Sequence, residues 1–164
     1  MEGFLVKKLS DIAIINPPKD RGLISSDLEV SFIPMEHIDG ETGSISKQDI
    51  RKAKEVYKGY TSFSDGDVIF AKITPCMENG KSAIARNLKN GKGFGSTEFY
   101  VIRPRANISA EYLWHFLRQE EVRKVAAQHF TGAVGHKRVP KEHMESIELP
   151  IWQVPHILDT VVHN

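Results

Sequence analysis

The sequence predicts an α+β fold: a twisted, mostly antiparallel β-sheet or partial barrel, followed by a helical C-terminal part. Three observations carry this. Short apolar runs bounded by Gly, Pro, Asn and Asp fill the chain up to Pro104. Beyond Pro104 the apolar residues recur at helical spacing. The two kinds of segment are segregated rather than alternating, which favours α+β over a doubly wound sheet. The length of 164 residues fits one domain. We place it at 1–150, with 151–164 as a short tail.

Taken in order, Leu9 to Ile15 reads as a short helix capped by Ser10 and stopped at Asn16-Pro17-Pro18. Residues 20–29 are polar and turn-rich. Val30 to Met35 is a strand, and His37 to Ser46 a loop built on Asp39-Gly40 and Thr42-Gly43. Arg51 to Tyr57 is a charged stretch with a turn of helix. Val68 to Ile73, Ser82 to Arg86 and Phe99 to Arg103 are further strands. Asn90 to Gly93 serves as a hairpin-like connection between the last two. Ser109 is an N-cap for one or two helices over about 109–129, with Leu113, Phe116, Leu117, Val122, Val125 and Ala126 on the apolar face. Pro140 opens a short helix over 140–145.

One cysteine, Cys76, excludes an internal disulfide framework and a cysteine-based zinc site, and points to a reducing, cytoplasmic setting. No apolar run approaches the roughly 20 residues of a membrane helix, and the N-terminal residues lack the apolar stretch of a signal peptide. The net charge of +1 conceals an uneven distribution. Residues 72–105 carry 7 Lys/Arg against 2 Asp/Glu, whereas residues 1–71 carry 9 against 12 and residues 106–164 carry 6 against 7. A localised basic segment is the electrostatic footprint of a nucleic-acid binder; the competing reading is a solvated surface.

The run Asp65-Gly66-Asp67-Val68-Ile69-Phe70-Ala71-Lys72-Ile73-Thr74-Pro75 carries the most chemistry. A tight turn launches a strand, and the strand delivers a lysine and a threonine into a proline-bearing loop. Basic and hydroxyl side chains on loops held by strands suit phosphates and base edges. With it go Gly80-Lys81 before a strand, Ser96-Thr97 before a strand ending Arg103-Pro104, the Tyr112-Leu113 helix, Gly132 and Gly135, and Ile147-Glu148-Leu149-Pro150. In this order and spacing the marks resemble the target-recognition domain of type I restriction-modification DNA specificity subunits, over about Leu9 to Pro150.

The resemblance implies recognition of double-stranded DNA without chemistry of its own. Catalysis would belong to an adenine methyltransferase subunit and an endonuclease subunit of the same system. In that family one subunit carries two such domains separated by long helices, each domain reading half of a split site. This sequence shows one domain, and Ile151-Trp152-Gln153-Val154-Pro155 stands where a spacer helix would open. The tail is then a remnant of that helix, and self-association as a half-size subunit is an open alternative.

Lys72 and Thr74 are candidate phosphate or base-edge contacts, against the reading of a bare strand end. Lys81, Arg86, Lys89 and Lys92 are candidate backbone contacts, and Ser96 and Thr97 candidate hydroxyl donors. Gly132 to Arg138 is a second contact loop with His136, Lys137 and Arg138 as donors; Arg138 could pair bidentately with guanine. The competing reading is a helix C-cap at Gly132 and a turn.

Asn16-Pro17-Pro18-Lys19 resembles the catalytic motif of adenine methyltransferases, but Lys19 replaces the aromatic that would stack on a flipped base. Gly91-Lys92-Gly93-Phe94-Gly95 lacks the spacing of a dinucleotide fingerprint. A methyltransferase fragment and a protein-interaction domain remain the alternatives. His129, His136 and His143 are spaced by seven, but Gly132, Gly135 and Pro140 interrupt any helix that would align them for a metal. No catalytic residue, cofactor or metal is expected.

Overall fold

The computed structural model describes residues 3–20, 22 and 24–152. The first elements are β1 (Phe4–Lys8), α1 (Leu9–Ile12), β2 (Ala13–Ile15), β3 (Glu29–Ile33), β4 (Asp49–Lys52) and α2 (Ala53–Val56). Then come β5 (Thr61–Ser64), β6 (Val68–Ala71), β7 (Ser82–Ile84), β8 (Lys92–Gly95) and β9 (Phe99–Pro104). Last are α3 (Ala110–Arg118), α4 (Glu120–Gln128), α5 (Lys141–Ser146) and β10 (Glu148–Trp152).

The strands form three sheets. β2-β9-β6-β7 is wholly antiparallel. β4-β3-β8-β5 is mixed, with β3 and β8 parallel. β1 and β10 make a two-stranded ribbon. The fold is α+β as expected, with open sheets in place of a barrel.

The first sheet is the middle layer. Val68, Phe70, Tyr100 and Ile102 pack on one face with Leu9, Ile12, Leu113, Leu117 and Met144 from the helices. Ile69, Phe99 and Val101 pack on the other face with Ile33 and Phe63 of the second sheet. Burial on both faces explains why β6 and the start of β9 read as unbroken apolar runs. A third cluster, Val30, Ala53, Val56 and Phe94, closes the outer face of the second sheet under α2.

Several expectations are corrected here. The opening helix ends at Ile12, and Ala13 to Ile15 go into β2 because Ile14 and Ile15 pair with β9. Its cap is at Lys8, whose N–H donates to the Asp11 carboxylate at 3.2 Å, not at Ser10. Pro140 is the cap of α5 rather than its first residue. Asn90 to Gly93 is no hairpin between β7 and β9. A 3-10 turn at Lys89–Gly91 leads into β8, which joins the other sheet. The glycines of β8 explain the miss. A Cβ on Gly93 would lie 2.3 Å from the Phe63 ring, and one on Gly95 would lie 2.2 Å from the Ile33 carbonyl oxygen. The strand is glycine-rich because its neighbours approach its backbone. Ser109 caps α3 as expected, accepting the Tyr112 N–H at 3.2 Å. β10 runs to Trp152, so the first two residues of the expected 151–164 tail pair with β1 instead, and the rest of that tail lies outside the described residues.

Candidate nucleic-acid interface

β6 runs from the Asp65-Gly66-Asp67 turn to Lys72, and the candidate residues divide between its two ends. At the start, Asp67 is buried and accepts the Ser64 N–H at 2.8 Å. Arg103 of β9 closes on it with Nε–Oδ1 and Nη2–Oδ2 contacts of 2.8 Å each. This bidentate bond holds the Arg103 guanidinium above its ordinary pKa. The pair fixes the turn and uses Arg103 within the fold.

Three of the expected contacts lie at this end, each engaged inside the protein. Arg86 pairs with Glu111 of α3. Lys89 pairs with Glu29 at 3.4 Å, and Lys92 pairs with Asp20 and donates to Ser64 Oγ at 3.1 Å. Lys81 belongs to the far end but turns its ammonium to the Met35 carbonyl, at 3.2 Å.

At the far end of β6 three loops converge. The 72–75 loop leaves β6, the 96–98 loop enters β9, and the 131–138 loop comes from the helical half. Backbone bonds weld them. Lys72 N–H donates to the Glu98 carbonyl at 2.9 Å, Val139 N–H to the Lys72 carbonyl at 2.9 Å, and Thr74 N–H to the Lys137 carbonyl at 3.0 Å. Thr131 and Arg138 exchange N–H···O bonds of 3.0 and 2.9 Å, so the glycine loop between them is a closed tongue. Gly132, at φ +114°, sits where a Cβ would lie 2.9 Å from the His136 carbonyl oxygen. The loop is therefore more than a helix cap.

These bonds bring Lys72, Thr74, Ser96, Thr97, His136, Lys137 and Arg138 to one end of the middle sheet. Lys72 lies 5.4 Å from the centre of the Tyr100 ring, which braces its ammonium. Thr74 donates its hydroxyl to Glu78 at 2.7 Å, and Ser96 accepts the Glu98 N–H at 3.1 Å. Thr97, His136 and Lys137 are exposed. Arg138 is clamped by Glu98, with Nε–Oε2 at 2.8 Å and Nη2–Oε1 at 2.7 Å. The clamp holds the Glu98 carboxyl below and the Arg138 guanidinium above their ordinary values.

Sequence reasoning passed over Glu98. It and Glu78 are the two carboxylates of the basic 72–105 segment, and each is bonded to a candidate residue. That isolation was the available signal.

The methyltransferase-like motif has another use. Asn16 adopts φ +53° and pairs with Val101 through its own N–H, at 2.7 Å, and its side-chain oxygen, at 3.1 Å. Lys19 donates to the Tyr57 carbonyl at 2.6 Å. The motif ends β2 and packs the chain. His129 and His143 stack with centroids 4.1 Å apart, while His136 lies on the tongue. Among the described residues no three metal-binding side chains gather, and no helix is long and apolar enough to cross a membrane.

With this geometry in view, the comparisons are specific. The sequence model described as type I restriction modification DNA specificity domain matches residues 1–154. The chain is 39% identical over 150 residues to the type I restriction enzyme EcoEI specificity subunit and 41% identical over 150 residues to the EcoAI specificity subunit, both of Escherichia coli. The match takes in 91% of this chain, which spans 25% of the length of each of these relatives. Among solved structures it superposes on the HsdS subunit from Thermoanaerobacter tengcongensis with TM-score 0.69 at 19% identity, over 91% of this chain and 38% of that one. A chain from work on complex assembly and conformational transition of the type I R-M system gives TM-score 0.71 at 20% identity, with the same coverage of 91% and 38%. These two likenesses concern the fold. The family match covers nearly the whole sequence, and the chain belongs to the type I restriction modification DNA specificity domain family.

Proposed function

We propose that this chain is a double-stranded DNA target-recognition domain that reads one half of a split site for a type I restriction-modification complex. It supplies recognition and no chemistry. Methyl transfer and cleavage belong to an adenine methyltransferase subunit and an endonuclease subunit with which it assembles, in the cytoplasm. Self-association as a half-size subunit is the alternative route to a complete site. The domain runs through β10 to Trp152, and the DNA face is the far end of β6.

One observation supports the placement above the others. Three loops from distant parts of the sequence are bonded into a single surface that carries Lys72, Thr74, Ser96, Thr97, His136, Lys137 and Arg138. Loops held by a rigid sheet are where a recognition surface is built. Lysines there hold phosphates, and a fixed arginine fork reads base edges.

The test is duplex binding measured across a salt series. Phosphate contacts by Lys72 and Lys137 on this face predict a log–log slope of roughly −2, from about −0.9 per contact. A slope near zero, or no binding to any duplex at low salt, removes the proposal.

A further inference from the structure

The Arg138 guanidinium has five N–H groups. Nε and Nη2 are taken by the two oxygens of Glu98, at 2.8 and 2.7 Å, and one Nη1 hydrogen by the His136 carbonyl, at 2.9 Å. One hydrogen on Nη1 and one on Nη2 are left with no protein acceptor among the described residues. Glu98 occupies the Nε–Nη2 edge, so the free Nη2 hydrogen lies on the Nη1–Nη2 edge; with the His136 carbonyl on the Cδ-side hydrogen of Nη1, that edge presents two parallel donors in one plane. The side chain keeps 43% exposure, against 23% for Glu98 beneath it.

The support is itself held. Glu98 donates its N–H to Ser96 Oγ and gives its carbonyl to the Lys72 N–H. Arg138 is fixed at the backbone by its paired bonds to Thr131. Both members of the ion pair are therefore anchored on the welded loops rather than carried on free ends.

We propose that Glu98 is a positioning residue for base reading: it holds Arg138 so that the Nη1–Nη2 fork meets two adjacent acceptors on one base edge, N7 and O6 of guanine in the major groove. This rests on the DNA-recognition reading above. An arginine already held in its bound orientation loses less freedom when it contacts a base. The carboxylate also cancels the guanidinium charge. The pair then adds little to sequence-independent attraction for phosphates, which falls to Lys72 and Lys137. Holding and reading are divided between neighbouring side chains.

The experiment uses the full chain and a pool of duplexes with a randomised segment. Wild-type protein selects a consensus, and each variant is measured on the selected duplex, on single-base changes of it and on a scrambled duplex. R138K keeps the charge and loses the fork. It should relax one guanine position by about 10- to 100-fold in discrimination, read as the ratio of selected-duplex to single-base-changed affinity. E98Q should relax the same position while raising scrambled-duplex affinity, because a negative charge has left the surface. If Glu98 were only structural, E98Q would lower the melting temperature and weaken all duplexes together, so melting is followed in parallel, with E98A as a second variant. The inference is overturned if R138K or E98Q keeps full discrimination at every position, if the relaxed position is not a guanine, or if wild type binds duplexes with no base preference. The last result would leave the DNA-holding reading standing. No duplex binding by wild type would remove both.

Discussion

Tyr100 ties the middle sheet to the chain entering α5. Its hydroxyl donates to the Val139 carbonyl at 2.6 Å, and the residue is 5% exposed. Burial, followed by the charges of Glu142 and Glu145, pushes its pKa up from the ordinary 10.0 to about 12. The folded state thus prefers the neutral phenol. Its contribution is whole below the unfolded pKa near 10 and is lost as pH rises through the folded value. Two units amount to roughly 2–3 kcal/mol of stability lost across pH 10–12. Tyr100→Phe should cost about 1 kcal/mol at neutral pH and flatten the stability profile across that window. Urea unfolding at several alkaline pH values measures it; an unchanged slope in the variant would refute the assignment. Residue-scale legibility followed range. Ser109 was readable as a cap because its partner is three residues away. Arg138 was readable as a donor, but its acceptor is 40 residues distant, and the one hint of it was Glu98's isolation as an acid in a basic segment, which does not name a partner.

At the scale of elements, β6 and β9 were legible because burial on two faces writes itself as a continuous apolar run. β8 was illegible for the opposite reason, since its glycines answer to Phe63 and Ile33, which lie elsewhere in the sequence. Losing β8 also obscured how the basic segment divides. Lys89 and Lys92 belong with the turn that starts β6, and Lys72 lies just past its end, four residue steps or about 13 Å beyond Val68. This division yields a prediction. Lys72→Ala combined with Lys137→Ala should weaken binding to selected and scrambled duplexes alike and flatten the salt slope by roughly 1 per lost contact. Lys89→Ala with Lys92→Ala should leave the slope in place, because those ammonium groups pair with Glu29 and Asp20. Fluorescence anisotropy at two salt concentrations separates the pairs. Equal flattening by both would place the phosphate face across the whole 72–105 segment.

The β1–β10 ribbon brings the two ends of the described fold together. Phe4 faces Trp152 in register, with their rings edge-on at 6.0 Å, and Trp152 is 66% exposed. Facing residues of antiparallel strands have Cα atoms about 5 Å apart, so the two ends of the described fold nearly touch. A linker of about five glycine and serine residues should join Trp152 to Gly3, with new ends opened before Gly59, an exposed turn position where a Cβ would meet nothing within 4 Å. The permuted chain should melt cooperatively, within about 2 kcal/mol of the parent; failure to fold would mean that β1 must lead the chain. A domain whose entrance and exit coincide adds almost nothing to the distance between whatever precedes and follows it. It behaves as a cartridge on a two-pronged plug: a set of loops with a different reading could be exchanged for this one, and the frame that carries it would not register the change.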